Sequence, residues 1–112
     1  MRVVITAKEN GNGAAFDSRC GRCAYLALYE TGKGYVMSFE NKAAEATGGA
    51  GIAAGRHVGE LDADVLITGH LGPNAATAIK EIGVKVFYGS FGNITEAFND
   101  YEAGHLTEVI SI

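Results

Sequence analysis

The sequence has 112 residues, of which 47% are hydrophobic and 20% charged, with 16 glycines and one proline, a balance typical of a soluble globular domain. A chain of this length can bury roughly two-thirds of its unfolded surface and needs no disulfide staples. The net charge of −4 argues against a general nucleic-acid binder, and no apolar run approaches the roughly 20 residues of a membrane helix.

We therefore expect a single domain over residues 1–112, with no nucleic-acid partner and no membrane partner. No signal peptide is predicted, because a strand-like segment follows Met1-Arg2 directly. The expected location is the cytoplasm. Two cysteines are too few for a disulfide scaffold, and a close pair in a reducing compartment more often binds metal or is redox-active.

The predicted elements begin with Val3-Val4-Ile5, a β-branched run typical of a buried strand. Residues 24–29 and 35–39 flank a glycine-containing turn and predict a β-hairpin. The remaining segments alternate between helix and strand: helices over about 50–61, 73–82 and 93–104, and strands over 64–68 and 84–88. Strands that alternate with helices favour a parallel sheet covered on both faces, and the hairpin adds antiparallel pairs. The prediction is an α/β domain with three α/β/α layers and a five-stranded mixed sheet.

Four glycine-rich loops are expected at one edge of this sheet, where open α/β sheets bind ligands beyond the carboxyl ends of their strands. Glycines at helix starts leave backbone N–H groups open to an anion, and the helix dipole favours negative charge there. Alternatively, they only permit tight turns. The candidate anion-binding residues in these loops are Gly48, Gly49, Gly51, His70, Gly72, Asn74, Gly89 and Gly92.

The sharpest motif is Cys20-Gly21-Arg22-Cys23, which we call the CxxC turn. Two thiols at this spacing can ligate iron or zinc, supply half of a four-thiolate site, form a redox disulfide, or be inert. Arg19 and Arg22 are expected to lower the thiol pKa values and to contact an anionic ligand. A strand rather than a helix follows the motif, which weakens the interpretation as a thioredoxin-type catalyst.

No catalytic set stands out in the sequence. There is no Ser-His-Asp ordering, no phosphate-binding Walker loop and no Rossmann fingerprint. His70 lies in the expected ligand cleft and is either a ligand or a solvated loop residue, whereas His57 and His105 are interpreted as surface residues. The residues favour a binding protein over an enzyme.

Several motifs, taken in order, resemble the dinitrogenase iron–molybdenum cofactor biosynthesis family, the small NifX/NafY-like domains also found at the NifB C-terminus. The resemblance spans nearly the whole chain. It is carried by residues 3–6, Gly21-Arg22, residues 49–52, residues 63–75, residues 83–87 and residues 97–104.

The resemblance implies a ribonuclease-H-like fold without nuclease activity. It also implies binding of an iron–sulfur or molybdenum-containing sulfide cluster, with copper as a further metal, that is carried or stored rather than turned over. Related small members include an orange protein that holds a molybdenum–copper sulfide cluster. Where the family commonly has His-Phe-Gly-Arg, this chain has Arg19-Cys20-Gly21-Arg22, so thiolate ligation by Cys20 and Cys23 is the more specific expectation.

Three hypotheses follow. The first is a cluster carrier that acts with cofactor-biosynthesis or recipient proteins, as a monomer or as a homodimer that pools four thiolates. The second is a small thiol–disulfide oxidoreductase that uses the CxxC turn. The third is a metal-free regulatory or interaction module.

Overall fold

The structure, a computed structural model, describes residues 1–42 and 50–109. The strands are β1 (Arg2–Ala7), β2 (Tyr25–Glu30), β3 (Gly34–Glu40), β4 (Val65–Thr68) and β5 (Lys85–Tyr88). The helices are α1 (Ala50–Glu60), α2 (Pro73–Glu81) and α3 (Ile94–Glu102). Every element predicted from the sequence is confirmed.

The strands form one mixed sheet in the order β3-β2-β1-β4-β5. The pairs β1–β4 and β4–β5 are parallel, whereas β1–β2 and β2–β3 are antiparallel. The first and second parallel pairs are linked through α1 and α2, as crossover connections require. Because β3 runs in the same direction as β1, the carboxyl ends of β1, β3, β4 and β5 share one edge, which we call the carboxyl edge.

Two hydrophobic cores lie on opposite faces of the sheet. Successive side chains of a strand point to opposite faces, so Val4 packs toward α1 and α2 while Val3 and Ile5 pack toward α3. The first core includes Ile79 of α2, and the second includes Ile94 of α3. The predicted three layers are therefore confirmed.

The ends of α2 and α3 follow local sequence signals. Pro73 occupies the first position of α2, where its missing N–H is not needed. Gly83, with φ of 75°, follows the end of that helix. At α3 the side chain of Asn93 accepts a hydrogen bond from the backbone N–H of Glu96 at 2.9 Å, as the sequence predicts for an N-cap.

Within the described residues, no helix is both long enough and apolar enough to cross a membrane.

Candidate functional site

Three of the four predicted glycine-rich loops meet at the carboxyl edge. The loop after β1 pairs with the turn after β4 through an isolated bridge between Arg19 and His70. It also pairs with the loop after β5 through a bridge between Ala15 and Asn93. The loop after β1 therefore lies between the other two and holds them together.

Buried hydroxyl groups fasten this loop to the strands. Thr6 and Thr68, both fully buried at the ends of β1 and β4, lie 3.0 Å apart through their hydroxyl oxygens. The Thr6 hydroxyl also donates to the backbone carbonyl of Asp17, and the Thr68 hydroxyl donates to that of Ser18 at 3.4 Å. These bonds fix the chain that leads into the CxxC turn.

Several of the predicted anion-binding amides already have partners inside the chain. The N–H groups of Gly69 and His70 both donate to the Ser18 carbonyl, at 3.1 and 3.0 Å. Gly89 donates to Thr68, at 3.1 Å, and Gly92 donates to the carboxylate of Glu96 at 3.0 Å. The amides of Gly69, His70 and Gly89 are therefore satisfied by carbonyls of other segments at this edge, and that of Gly92 by the first turn of α3.

The start of α2 is the open part of this edge. Gly72 is its N-cap residue, has no side-chain cap bond and faces open space at its Cα. Asn74 lies exposed in the first turn, which contains no acidic residue. Exposed helix N–H groups without a capping side chain are available to an anion.

Arg19 is engaged by an acidic partner. Its guanidinium makes two 3.0 Å contacts with the Asp17 carboxylate, which is buried at 2% exposure, while the Arg19 side chain is 63% exposed. Burial alone would raise the pKa of Asp17, but the hydrogen bonds and charge of Arg19, with the charge of Lys8, outweigh it and hold that pKa below the ordinary value. The Asp17–Arg19 ion pair therefore stabilises the loop after β1.

The two cysteines are buried rather than presented to solvent. Cys20 and Cys23 are 2% and 0% exposed and belong to the core beneath α1 and α2, together with Leu71 and Ala75 at the start of α2. Both are free thiols, and the Cys23 thiol donates to the Cys20 carbonyl at 3.3 Å. The sulfur pair thus belongs to the same hydrophobic core as the start of α2.

The expected effect of Arg19 and Arg22 on the thiols is wrong. Burial raises the pKa of Cys20 to about 12. Burial also raises the pKa of Cys23 to about 12, and the neighbouring Cys20 and Asp17 add to the increase. Arg19 is paired with Asp17, so desolvation decides the state of the thiols, and both are protonated at neutral pH.

Four predicted site residues remain, and only some of them lie in the part of the chain that the structure describes. Arg22 is exposed on the CxxC turn, and Gly51 lies in the first turn of α1. Gly48 and Gly49 lie outside the described residues. Among the residues that are described, no three His, Cys, Asp or Glu side chains form a group that could hold a metal ion.

Comparison with known families decides the relationship. The sequence model of the dinitrogenase iron–molybdenum cofactor family matches residues 1–104. This chain belongs to that family. Membership relates it to the binding or biosynthesis of the iron–molybdenum cofactor, and the resemblance inferred from the motifs is confirmed.

Solved structures of family-like proteins share the fold. The apo form of the orange protein from Desulfovibrio gigas is 26% identical, with a TM-score of 0.91 over 98% of this chain and 93% of that chain. A candidate NifB protein from Thermotoga is 29% identical, with a TM-score of 0.85 over 99% and 95% of the two chains. A candidate dinitrogenase from Methanocaldococcus jannaschii, 8% identical with a TM-score of 0.72 over 100% and 97%, shows the fold alone. None of the curated proteins matches the sequence.

Asn41 lies at the candidate site but was not identified from the sequence. Asn41, 2% exposed and directly after β3, donates through its side-chain amide to the Cys23 carbonyl at 2.8 Å. Its proximity to the CxxC turn depends on the pairing of β2 with β3, and no local sequence motif indicates that proximity. One signal in the sequence could have identified Asn41. It follows the predicted edge strand and lies opposite Ala24, the residue that comes after the cysteine motif.

Proposed function

We propose that this chain binds and carries, or stores, an anionic iron–sulfur or molybdenum-containing metal–sulfide cluster at the carboxyl edge. Residues 1–112 act as one domain in the cytoplasm, as a monomer or homodimer, and deliver the cluster to cofactor-biosynthesis or recipient proteins. The observation that carries the proposal is the convergence of a sulfur pair, an uncapped helix start and basic side chains at one edge of the sheet.

Each part of the site has a role that suits such a cargo. The uncapped start of α2, with Gly72 and Asn74, offers amide donors to cluster sulfides, Arg19 and Arg22 offer charge-assisted donors, and His70 offers a ring N–H. Cys20 and Cys23 are soft ligands for iron, molybdenum or copper. Family membership supports the same class of ligand.

Ligation by the thiols requires a change from the described state. Both sulfurs are buried and protonated, so metal must displace two protons and the CxxC turn must open. Two thiolates supply half of a four-thiolate site, so the cluster must bring its own sulfide or be shared between two chains. The same burial makes the pair a poor nucleophile and gives no support to the thiol oxidoreductase hypothesis.

Anaerobic loading tests the proposal. The metal-free protein is incubated with ferrous iron and sulfide, or with molybdate and sulfide, and desalted; metal, acid-labile sulfide and visible absorption per chain are then measured. We expect retained metal and sulfide in the natural chain, and loss of most of both in the Cys20→Ser, Cys23→Ser double variant.

A matched pair of arginine variants locates the bound anion. Arg22→Ala, on the CxxC turn, is expected to retain less metal and sulfide than Arg56→Ala, which alters an exposed arginine of α1 away from that turn. A natural chain that retains neither metal nor sulfide under both loading conditions contradicts the proposal and favours a metal-free interaction module.

A further inference from the structure

The side chain of Asn41 contacts the CxxC turn at several points. Its amide nitrogen donates to the carbonyls of Cys23 at 2.8 Å and Gly21 at 3.3 Å, and lies 3.5 Å from the Cys23 sulfur. Its backbone N–H donates to the carbonyl of Ala24 at 2.9 Å, which extends the β2–β3 ladder by one step. Asn41 thus joins the end of the edge strand β3 to the backbone carbonyls of Gly21, Cys23 and Ala24.

These bonds matter because residues 20–23, as the structure describes them, belong to no helix or strand. The bond from the Asn41 amide to the Cys23 carbonyl is buried, whereas the bond to the Gly21 carbonyl is partly buried, so loss of this amide would leave the Cys23 carbonyl without this donor and shielded from water. A buried carbonyl that loses its donor is costly, and the chain can relieve that cost by exposing the segment to solvent. Opening of the turn is therefore opposed by the Asn41 amide.

We infer that Asn41 is a positioning residue that holds the CxxC turn closed over the core, so that the two sulfurs become accessible when its side-chain amide is released. The part of this inference that concerns cargo rests on the proposed function. The clamp itself is a property of the metal-free chain and is tested without metal. Since Asn41 is the residue that ends the β3 ladder, displacement of that strand end would free the sulfurs.

The test is the rate at which 4,4′-dithiodipyridine modifies the thiols of the folded, metal-free protein. We expect Asn41→Ala to react about tenfold faster than the natural chain, because a lost hydrogen bond to a buried carbonyl makes local opening about that much more frequent. Asn99→Ala is the matched control, since it removes an exposed asparagine side chain of α3, on the other face of the sheet. After both rates are corrected for the free energy of global unfolding in urea, the control is expected to react at the natural rate.

A second variant separates hydrogen-bond donation from shape. Asn41→Asp keeps the size of the side chain but, when ionised, offers no donor. At pH 7 it is expected to react at least as fast as Asn41→Ala. At about pH 4.5 a buried carboxyl is largely protonated and regains one O–H donor, so its rate relative to Asn41→Ala at the same pH should fall several-fold.

The outcomes are decisive in either direction. Asn41→Ala reacting at the natural rate, or faster only in proportion to its lost global stability, overturns the clamp. So does an Asn41→Asp to Asn41→Ala ratio that is independent of pH. If the alanine variant does not fold, Asn41→Ser, which keeps a single donor, takes its place and is expected to react several-fold faster than the natural chain.

Loading with ferrous iron and sulfide then separates the two proposals. A clamp variant with accelerated thiol modification and faster loading supports both the clamp and its link to cargo. Accelerated modification with unchanged loading upholds the clamp and contradicts the link. A natural chain that never loads contradicts the proposed function and leaves the thiol result standing.

Discussion

Gly69 lies at the closest approach between two of the loops that build the carboxyl edge. A Cβ atom at this position would lie 2.7 Å from the Cα of Ser18 and 2.8 Å from its carbonyl oxygen. Those atoms belong to the backbone of a segment fixed by Thr6 and Thr68, so displacing them would cost free energy. Only glycine allows both Gly69 and its successor to donate to the same carbonyl.

We therefore predict that Gly69→Ala lowers the free energy of unfolding by about 2 kcal/mol, the range of overpacking in a tightly packed site. Gly72→Ala is the control, because its Cβ would meet nothing within 4 Å and its φ of −68° suits any residue. That variant should lose less than about 1 kcal/mol, the cost of a poorer N-cap. Urea denaturation measures both, and equal losses would contradict the close approach described here.

The Asp17–Arg19 ion pair, which we call the latch, makes the stability of the protein depend on pH. Because the pKa of Asp17 in the folded protein is below the ordinary value of 3.8, its contribution to stability is present above about pH 4 and is lost as the pH falls through the lowered pKa. Arg19 is mostly exposed, so solvent screens the pair. We predict that Asp17→Asn loses about 1 kcal/mol at pH 7 and that its difference from the natural chain shrinks toward pH 3.

The measurement is urea denaturation of the two proteins across that pH range, with Asp62→Asn as an exposed control. The control should track the natural chain at every pH. A difference between Asp17→Asn and the natural chain that stays constant down to pH 3 would mean that the latch does not stabilise the fold through its charge.

At the scale of elements, α3 is fixed by a reciprocal pair of caps at its start. Asn93 accepts from the Glu96 N–H, and the Glu96 carboxylate accepts from the Gly92 N–H. We predict that Asn93→Ala lowers the free energy of unfolding by about 1 kcal/mol. Asn99→Ala, in the exposed face of the same helix, should change it by less than about 0.5 kcal/mol. A thermal or urea melt that ranks the two variants in the opposite order refutes the capping role.

The order and type of elements could be predicted because each leaves a local signal. Val65-Leu66-Ile67 is a buried run between turns, Pro73 marks a helix start, and Asn93 with Glu96 marks another. The pairing of β3 with β2 also follows from the glycine turn between them. These are interactions over a few residues, which the sequence displays directly.

The state of the site could not be predicted in the same way. The adjacent arginines suggested exposed thiolates, yet the thiols lie in a core that also contains Leu71, Ile79 and other residues distant in sequence. Likewise, the amides of His70 and Gly89 were expected to be available, but the carbonyls of Ser18 and Thr68 accept from them. Burial and hydrogen-bond satisfaction depend on tertiary packing, for which spacing in the sequence carries no signal.

At the scale of the whole molecule, the sheet separates two hydrophobic cores that differ in their contents. The core toward α1 and α2 contains both sulfurs and lies under the open start of α2. The core toward α3 contains no cysteine among the residues assigned to it and is closed by stacked aromatic rings such as Tyr29 on Phe98, at 4.4 Å between centroids. A change in the first core can therefore alter the site while the second maintains the fold.

This separation predicts that mutations in the two cores act independently. Ile79→Val in α2 and Ile94→Val in α3 each remove one methylene from a side chain that is at most 1% exposed, and each should cost about 1 kcal/mol. Because the sheet lies between the two side chains and they share no core cluster, the double variant should lose the sum to within about 0.5 kcal/mol. Urea denaturation of the four proteins measures this cycle. A coupling above about 1 kcal/mol would show that the cores are not independent, and that the edge bearing the sulfurs cannot change without disturbing the α3 face.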